Sequence, residues 1–184
     1  LIMTHSDDAG LVCPPRLAQW QVMIVPIWRT DAERDETCAA ADRLAAELRE
    51  GGIRVNTDKR EGMKPGAKYY EWESRGVPLR LELGPRDLAN QSAMLARRTG
   101  GKEPIPLAGI VDRITLEMDA MQQSLFEAAR ARREAASLRN PKSKQEFIDW
   151  IAADRGFVYA GWCGDPAVEA EIKEQTKATI RCLP

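Results

Sequence analysis

The sequence has a single histidine, His5, and no Cys-x-x-Cys pair among its four cysteines, Cys13, Cys38, Cys163 and Cys182. Thiols so few and so dispersed in 184 residues exclude a disulfide scaffold and fit a reduced, cytoplasmic protein. No apolar run approaches the roughly 20 residues needed to span a bilayer, so a membrane role has no support. Residues 27–31, which follow the first apolar run, lack the glycines of a phosphate loop, and this speaks against an independent nucleotide-binding enzyme. A surplus of positive charge is also missing: 27 Lys and Arg against 28 Asp and Glu leave a net charge of −1. Binding of nucleic acid by bulk electrostatics is thereby excluded, and any such function must rest on a local patch. Leu1-Ile2-Met3 is too short for a signal-peptide core, and the start on leucine reads as a cut within a longer protein.

What is present is ordinary for a globular chain, 43% hydrophobic and 30% charged. Residues 1–18, with Pro14-Pro15, read as a strand end and a connector. Residues 22–27 form a short apolar run of the kind buried on both faces of a sheet. Thr30 with Glu33 three residues on is a capping box. The helix it opens carries Cys38, Ala41, Leu44, Ala45 and Leu48 on one face and stops at Gly51-Gly52. A strand over 53–58 completes a strand, helix, strand unit, which predicts a crossover in a parallel sheet. Residues 68–75 read as a second helix, and 79–83 alternate as a half-buried strand. Residues 93–98 and 102–107, joined through Gly100-Gly101, read as a hairpin ending in a proline-interrupted edge strand. A long helix over 110–136 carries Ile114, Met118, Met121, Leu125 and Ala129 on one face and ends in a basic tail, Arg130 to Arg133. Beyond Asn140-Pro141 a helix near 145–152, a strand near 157–162 and a helix near 167–177 are expected.

Three segments carry a resemblance. The first is Thr4-His5-Ser6-Asp7-Asp8-Ala9-Gly10-Leu11 with Pro14-Pro15-Arg16-Leu17-Ala18. The second is Pro65-Gly66-Ala67-Lys68-Tyr69-Tyr70-Glu71-Trp72-Glu73, continued by Gly76-Val77-Pro78-Leu79-Arg80 and Gly84-Pro85-Arg86-Asp87-Leu88. The third is Gly161-Trp162-Cys163-Gly164-Asp165 with Glu169 and the closing Arg181-Cys182. Together, in this order, they resemble prolyl-tRNA synthetases of the archaeal and eukaryotic type, a class II family. The resemblance implies an α/β fold, a mixed β-sheet flanked by helices as in class II anticodon-binding domains, with a small α+β C-terminal domain. It implies an exit from the catalytic domain over 1–19, an anticodon-binding domain over 20–110 and a connecting helix with a truncated C-terminal domain over 111–184. The catalytic motifs, and the ATP and magnesium they use, would lie upstream, so no residue here is expected to be catalytic and His5 is expected to be structural or part of a former active-site rim. The partners implied are proline tRNA, the catalytic domain of the same polypeptide and a second copy, since these enzymes pair through that domain.

The middle segment also has a physical reading of its own. From Arg54 to Lys102 eleven cations face six acids, the local surplus that the whole chain lacks. Proline anticodons share two guanines, whose O6 and N7 take donors from Arg or Lys and whose N1–H and amino group need a carboxylate. Asp58, Arg60, Lys68, Glu71 and Glu73 are the candidates for that task, and Lys64, Gly66, Arg97 and Arg98 for the RNA backbone. Gly66, just before Lys68, would let a phosphate approach the helix N-terminus. The plainer alternative for Arg60, Lys68, Arg97 and Arg98 is a solvated surface. Tyr69, Tyr70 and Trp72 could stack on bases, with Trp72 the best candidate for core packing, and Arg80 faces away from Leu79 and Leu81.

Zinc is not expected. In the resembled family a Cys-x4-Cys pair and a later Cys-x-x-Cys pair hold it. Cys163 matches the first ligand, but Val168 stands at the second and the later pair is absent. A different class of function also stays open at this point: a non-catalytic accessory or interaction module built on the same fold.

Overall fold

The computed structural model describes residues 2–153 and 156–181, and it divides into two units, the first ending at Leu125 and the second beginning at Phe126. The chain opens with an antiparallel hairpin of β1 (Ser6–Asp7) and β2 (Gly10–Leu11). β3 (Val22–Pro26) is buried at every position, as a run without alternation requires. Thr30 then caps α1 (Asp31–Glu50): its hydroxyl accepts from the Glu33 amide while the Glu33 carboxylate accepts from the Thr30 amide. The helix packs Ala41, Leu44, Ala45 and Leu48 into the core, with Cys38 only half-buried at its margin. Gly52, at φ +80°, turns the chain into β4 (Val55–Thr57).

β3 pairs in parallel with β4 on one side and with β5 (Leu79–Leu83) on the other. Between β4 and β5 runs α2 (Pro65–Ser74), one turn longer at its start than the sequence suggests. The helix α3 (Pro85–Ala89), not expected from periodicity, opens where the Asp87 carboxylate accepts from the Gly84 amide. The hairpin of β6 (Ser92–Arg97) and β7 (Lys102–Pro106) is antiparallel, and the sheet order β4-β3-β5-β6-β7 leaves the proline-bearing β7 at an edge. The sheet is mixed and flanked by helices, the α/β class read from the sequence.

β5 differs from the half-buried strand expected. Leu79, Leu81 and Leu83 enter the core, and Glu82 on the opposite face is only 4% exposed. The reason is that α2 and the β6–β7 hairpin cover that second face, through Tyr69 and Lys102.

α4 (Ile110–Ala135) closes the first unit's core with Ile110, Ile114, Met118 and Met121. The apolar stripe then runs out: Leu125 is half-buried and Ala129 exposed. The division at Leu125 thus falls inside α4, whose first half belongs to the core of the sheet. In the second unit β8 (Ser137–Arg139) and β9 (Phe157–Tyr159) form a parallel pair. α5 (Lys144–Ala152), capped by the Ser143 hydroxyl, packs against α6 (Pro166–Thr176), and Lys144 pairs with Glu171. β9 is shorter than expected.

Candidate functional site

α2 carries the resemblance, and its two flanks build two different environments. Residues four apart on a helix share a flank, so Lys68 and Trp72 face one way and Tyr69 and Glu73 another.

On the first flank the centre is Asp58, just past β4, with a side chain 1% exposed. Its Oδ1 accepts from the Arg60 amide at 3.1 Å and from Arg60 Nε at 3.0 Å. Its Oδ2 accepts from Arg60 Nη2 and from Trp72 Nε1, each at 2.7 Å. Lys68 Nζ donates to the Asp58 carbonyl at 3.2 Å and lies 3.8 Å from Oδ1. The ammonium also sits 5.0 Å from the Trp28 ring centroid. Burial pushes the Asp58 carboxyl up, but the donors from Arg60 and Trp72 outweigh it and hold its pKa at about 2. Burial likewise pulls the Lys68 ammonium down, against the attraction of Asp58. Arg60 reaches outward from this centre. Its Nη2 also meets Glu71 at 2.7 Å, and its side chain stays 44% exposed. Both carboxylates raise its pKa.

On the second flank the Arg80 guanidinium stacks 4.1 Å from the Tyr69 ring centroid and pairs with Glu82 at 3.3 Å. Lys102 Nζ bonds Glu82 at 2.6 Å and lies 5.8 Å from the same ring. Burial, and then the Glu82 charge, push the Tyr69 hydroxyl up. A cavity of about 260 Å³ opens here, lined by Trp72, Glu73, Arg80, Lys102 and the Gly100-Gly101 turn. Glycines at φ +102° and +90° let that turn close tightly.

The structure therefore separates the residues that the sequence grouped. Asp58 and Lys68 are buried, and both oxygens of the Asp58 carboxylate are already engaged by Arg60 and Trp72. The cause is tertiary, since Trp28 and Trp72 close over them. Arg60 and Glu71 are paired with one another at the surface, and Glu73 lines the cavity. Lys64 is exposed at the start of α2, where no side chain caps the helix, and a Cβ on the exposed Gly66 would meet nothing within 4 Å. Arg97 is committed to Glu117 and Glu103. Arg98, read as a phosphate contact, is 3% exposed in its side chain. It donates to the carbonyls of Leu11, Gly10 and Glu73 and to the Asp7 carboxylate, so it holds backbone together, and with Arg97 it also lines the cavity. Sequence reasoning left out Arg80 and Lys102 as site residues. The alternation of β5 did put Arg80 off the leucine face, but nothing local tied it to Tyr69.

Against this geometry, a family model described as "Anticodon binding domain" matches residues 21–117, and one described as "Prolyl-tRNA synthetase, C-terminal" matches residues 144–184. The chain is 46% identical over 188 aligned residues to a proline–tRNA ligase of Chloroflexus aurantiacus. It is 44% identical over 185 to proline–tRNA ligase 2 of Clostridioides difficile, and equally so to a proline–tRNA ligase of Flavobacterium johnsoniae. Each alignment takes in all of this chain but only 38%, 38% and 37% of the relative, respectively. The fold, the α2 segment and both family matches agree, and the chain belongs to the anticodon-binding domain family, in the prolyl-tRNA synthetase lineage that joins it to its own C-terminal domain.

Proposed function

We propose that the chain reads the anticodon of proline tRNA, as part of an enzyme that joins proline to that tRNA at the expense of ATP. The observation that carries the reading is the cavity beside α2, in a chain aligned from end to end with proline–tRNA ligases. At about 260 Å³ it falls just below small-ligand pockets of roughly 300–1,000 Å³, a size suited to one base. Its chemistry suits guanine. Arg80 offers donors toward O6 and N7, Glu73 offers a carboxylate toward N1–H and the amino group, and Trp72 supplies apolar ring surface.

In this reading Asp58 and Lys68 act without touching RNA. They fix Arg60 and the start of α2, so that Arg60, Lys64 and the N–H groups near Gly66 meet the phosphates. Proline activation with ATP and magnesium, and pairing of two copies, belong to the part of the ligase outside this chain, acting in the cytoplasm. No helix among the described residues is long and apolar enough to cross a membrane.

The test is binding of proline tRNA to Arg80→Ala and Lys102→Ala. Each is expected to weaken binding about 10-fold, the scale of one lost base contact, and to reduce the preference for guanine, whose O6 these cations address, over adenine in the anticodon. Unchanged affinity and unchanged preference in folded variants would sink the assignment.

Zinc does not fit the residues present. Cys163 is exposed and position 168 is a valine, which cannot ligate a metal; Cys182 lies outside the described residues. Elemental analysis after dialysis against zinc is expected to find clearly less than one ion per chain, and a full equivalent would overturn this.

A further inference from the structure

We propose that the exposed face of the β8–β9 pair is a stacking platform for single-stranded RNA, a second RNA site within the second unit. The register pairs Ser137 with Phe157, Leu138 with Val158 and Arg139 with Tyr159. Side chains alternate along each strand, so Arg139, Phe157 and Tyr159 share one face while Leu138 and Val158 share the other. Leu138 and Val158 are half-buried, but Phe157 is 54% and Tyr159 42% exposed. Two aromatic rings two residues apart on a solvent face are costly in water unless something covers them. The Arg139 guanidinium already lies over one of them, 4.3 Å from the Tyr159 centroid.

The surrounding charge identifies the occupant. From Arg130 to Lys144 there are six cations, Arg130, Arg132, Arg133, Arg139, Lys142 and Lys144, and one acid, Glu134. Glu134 meets Arg133 at 2.6 Å and Arg139 at 3.4 Å. All three side chains are between 43% and 55% exposed. Ion pairs that open to water contribute at most about 1 kcal/mol, so a phosphate can take over either arginine with little loss. A polyanion with free ring faces fits both halves of this surface. Duplex RNA hides its base faces, whereas a single strand offers them to aromatic side chains without regard to sequence.

The platform is also held in shape. The Asn140 amide donates to the Tyr159 carbonyl and the Phe157 amide to the Ala136 carbonyl, each at 2.8 Å. Gly156, at φ +97°, passes so near the end of α4 that a Cβ there would lie 2.8 Å from the Ala136 oxygen. The rings are therefore presented by an ordered backbone, which reduces the ordering cost of binding.

The experiment uses the whole chain and a labelled short oligoadenylate, which contains no guanine and so does not depend on the anticodon reading. Binding is followed by anisotropy at low ionic strength, with duplex RNA alongside. Phe157→Ala and Tyr159→Ala are each expected to weaken binding of the single strand by between about 5- and 150-fold, the range of one lost stacking contact. Tyr159→Phe, which keeps the ring, is expected to bind as the unchanged chain does and so separates stacking from folding. The proposal is overturned if the oligoadenylate does not bind, if the alanine variants bind it equally well, or if duplex RNA binds as tightly. It is likewise overturned if the rings instead drive self-association, seen as a concentration-dependent mass that both alanine variants abolish.

Discussion

Replacing Asp58 with alanine is expected to destabilise the first unit by about 3–5 kcal/mol, the usual cost of removing one partner from a buried ion pair. The loss has three parts. Lys68, only 2% exposed, would keep its ammonium with a backbone carbonyl and a tryptophan face but no counter-ion. Trp72 would lose the acceptor that its Nε1 meets at 2.7 Å. Arg60 would lose both of the contacts that hold its guanidinium edge-on to the carboxylate. Asp58→Asn keeps the shape and one good acceptor, so it should lose less, though Lys68 still goes unpaired in charge. Thermal or urea unfolding measures both, and an alanine variant as stable as the parent would refute the arrangement.

The same carboxylate gives a pH signature. Its pKa is about 2 in the folded chain, below the ordinary 3.8, so the folded state binds this proton less readily than the unfolded state. Its contribution is therefore fully present above the ordinary carboxyl value and lost as the pH falls toward 2. Asp58→Asn removes that portion of the acid-side slope. Functionally, the variants are expected to weaken RNA binding indirectly, by freeing Arg60 and loosening α2.

The contrast between Asp58 and the helix caps shows which features can be read from sequence. Thr30 and Glu33 act on one another across a single turn, so the capping box and α1 could be read directly. β3 lacked alternation and is buried on both faces, again a local property. The α2 segment was recognisable as a motif, and its Trp72 and Glu73 line the candidate pocket. The roles of its residues were another matter. Lys68 looks like any surface lysine until Trp28, forty residues earlier in the chain, is folded over it. Glu82 alternates with leucines as an outward residue would, yet Tyr69 and Lys102 arrive from other elements to cover it. Consecutive Arg97 and Arg98 read as a paired basic spot, but Arg97 ends β6 and Arg98 stands in the turn just past it. One meets the acids of α4 and β7 while the other passes inward. Alternation reports which side of a strand leaves the leucine core and is silent on what packs over the other side.

Arg98→Ala is expected to be the other severe change, costing about 3–5 kcal/mol and lowering the melting temperature by on the order of 10 °C. The β1–β2 hairpin lies against the end of α2 with backbone touching backbone. A Cβ on Gly10 would fall 2.5 Å from the Ser74 carbonyl oxygen, and one on Gly76 would fall 2.6 Å from that of Leu11. Such packing strands carbonyl groups away from water, and Arg98 is what satisfies them. Its Nε donates to Leu11 and Glu73, each at 2.9 Å, and its Nη2 to Gly10 at 3.1 Å. Both terminal nitrogens also engage Asp7. Lysine has the charge but not the planar fork, so Arg98→Lys should recover only a minor part. Asp7→Asn should cost much less, because that side chain is 51% exposed. The hydrogen bond from Arg98 holds the Asp7 carboxyl below its usual value, so this pair too weakens as the pH falls through the acid range. The clamp also reaches the proposed base pocket, since one of the carbonyls it holds belongs to Glu73. Arg98→Ala is accordingly expected to weaken binding of proline tRNA even at temperatures where the variant is folded, while Asp7→Asn leaves it near the parent value. If the two variants lose RNA binding to the same extent, the tether on Glu73 is not what sets the pocket.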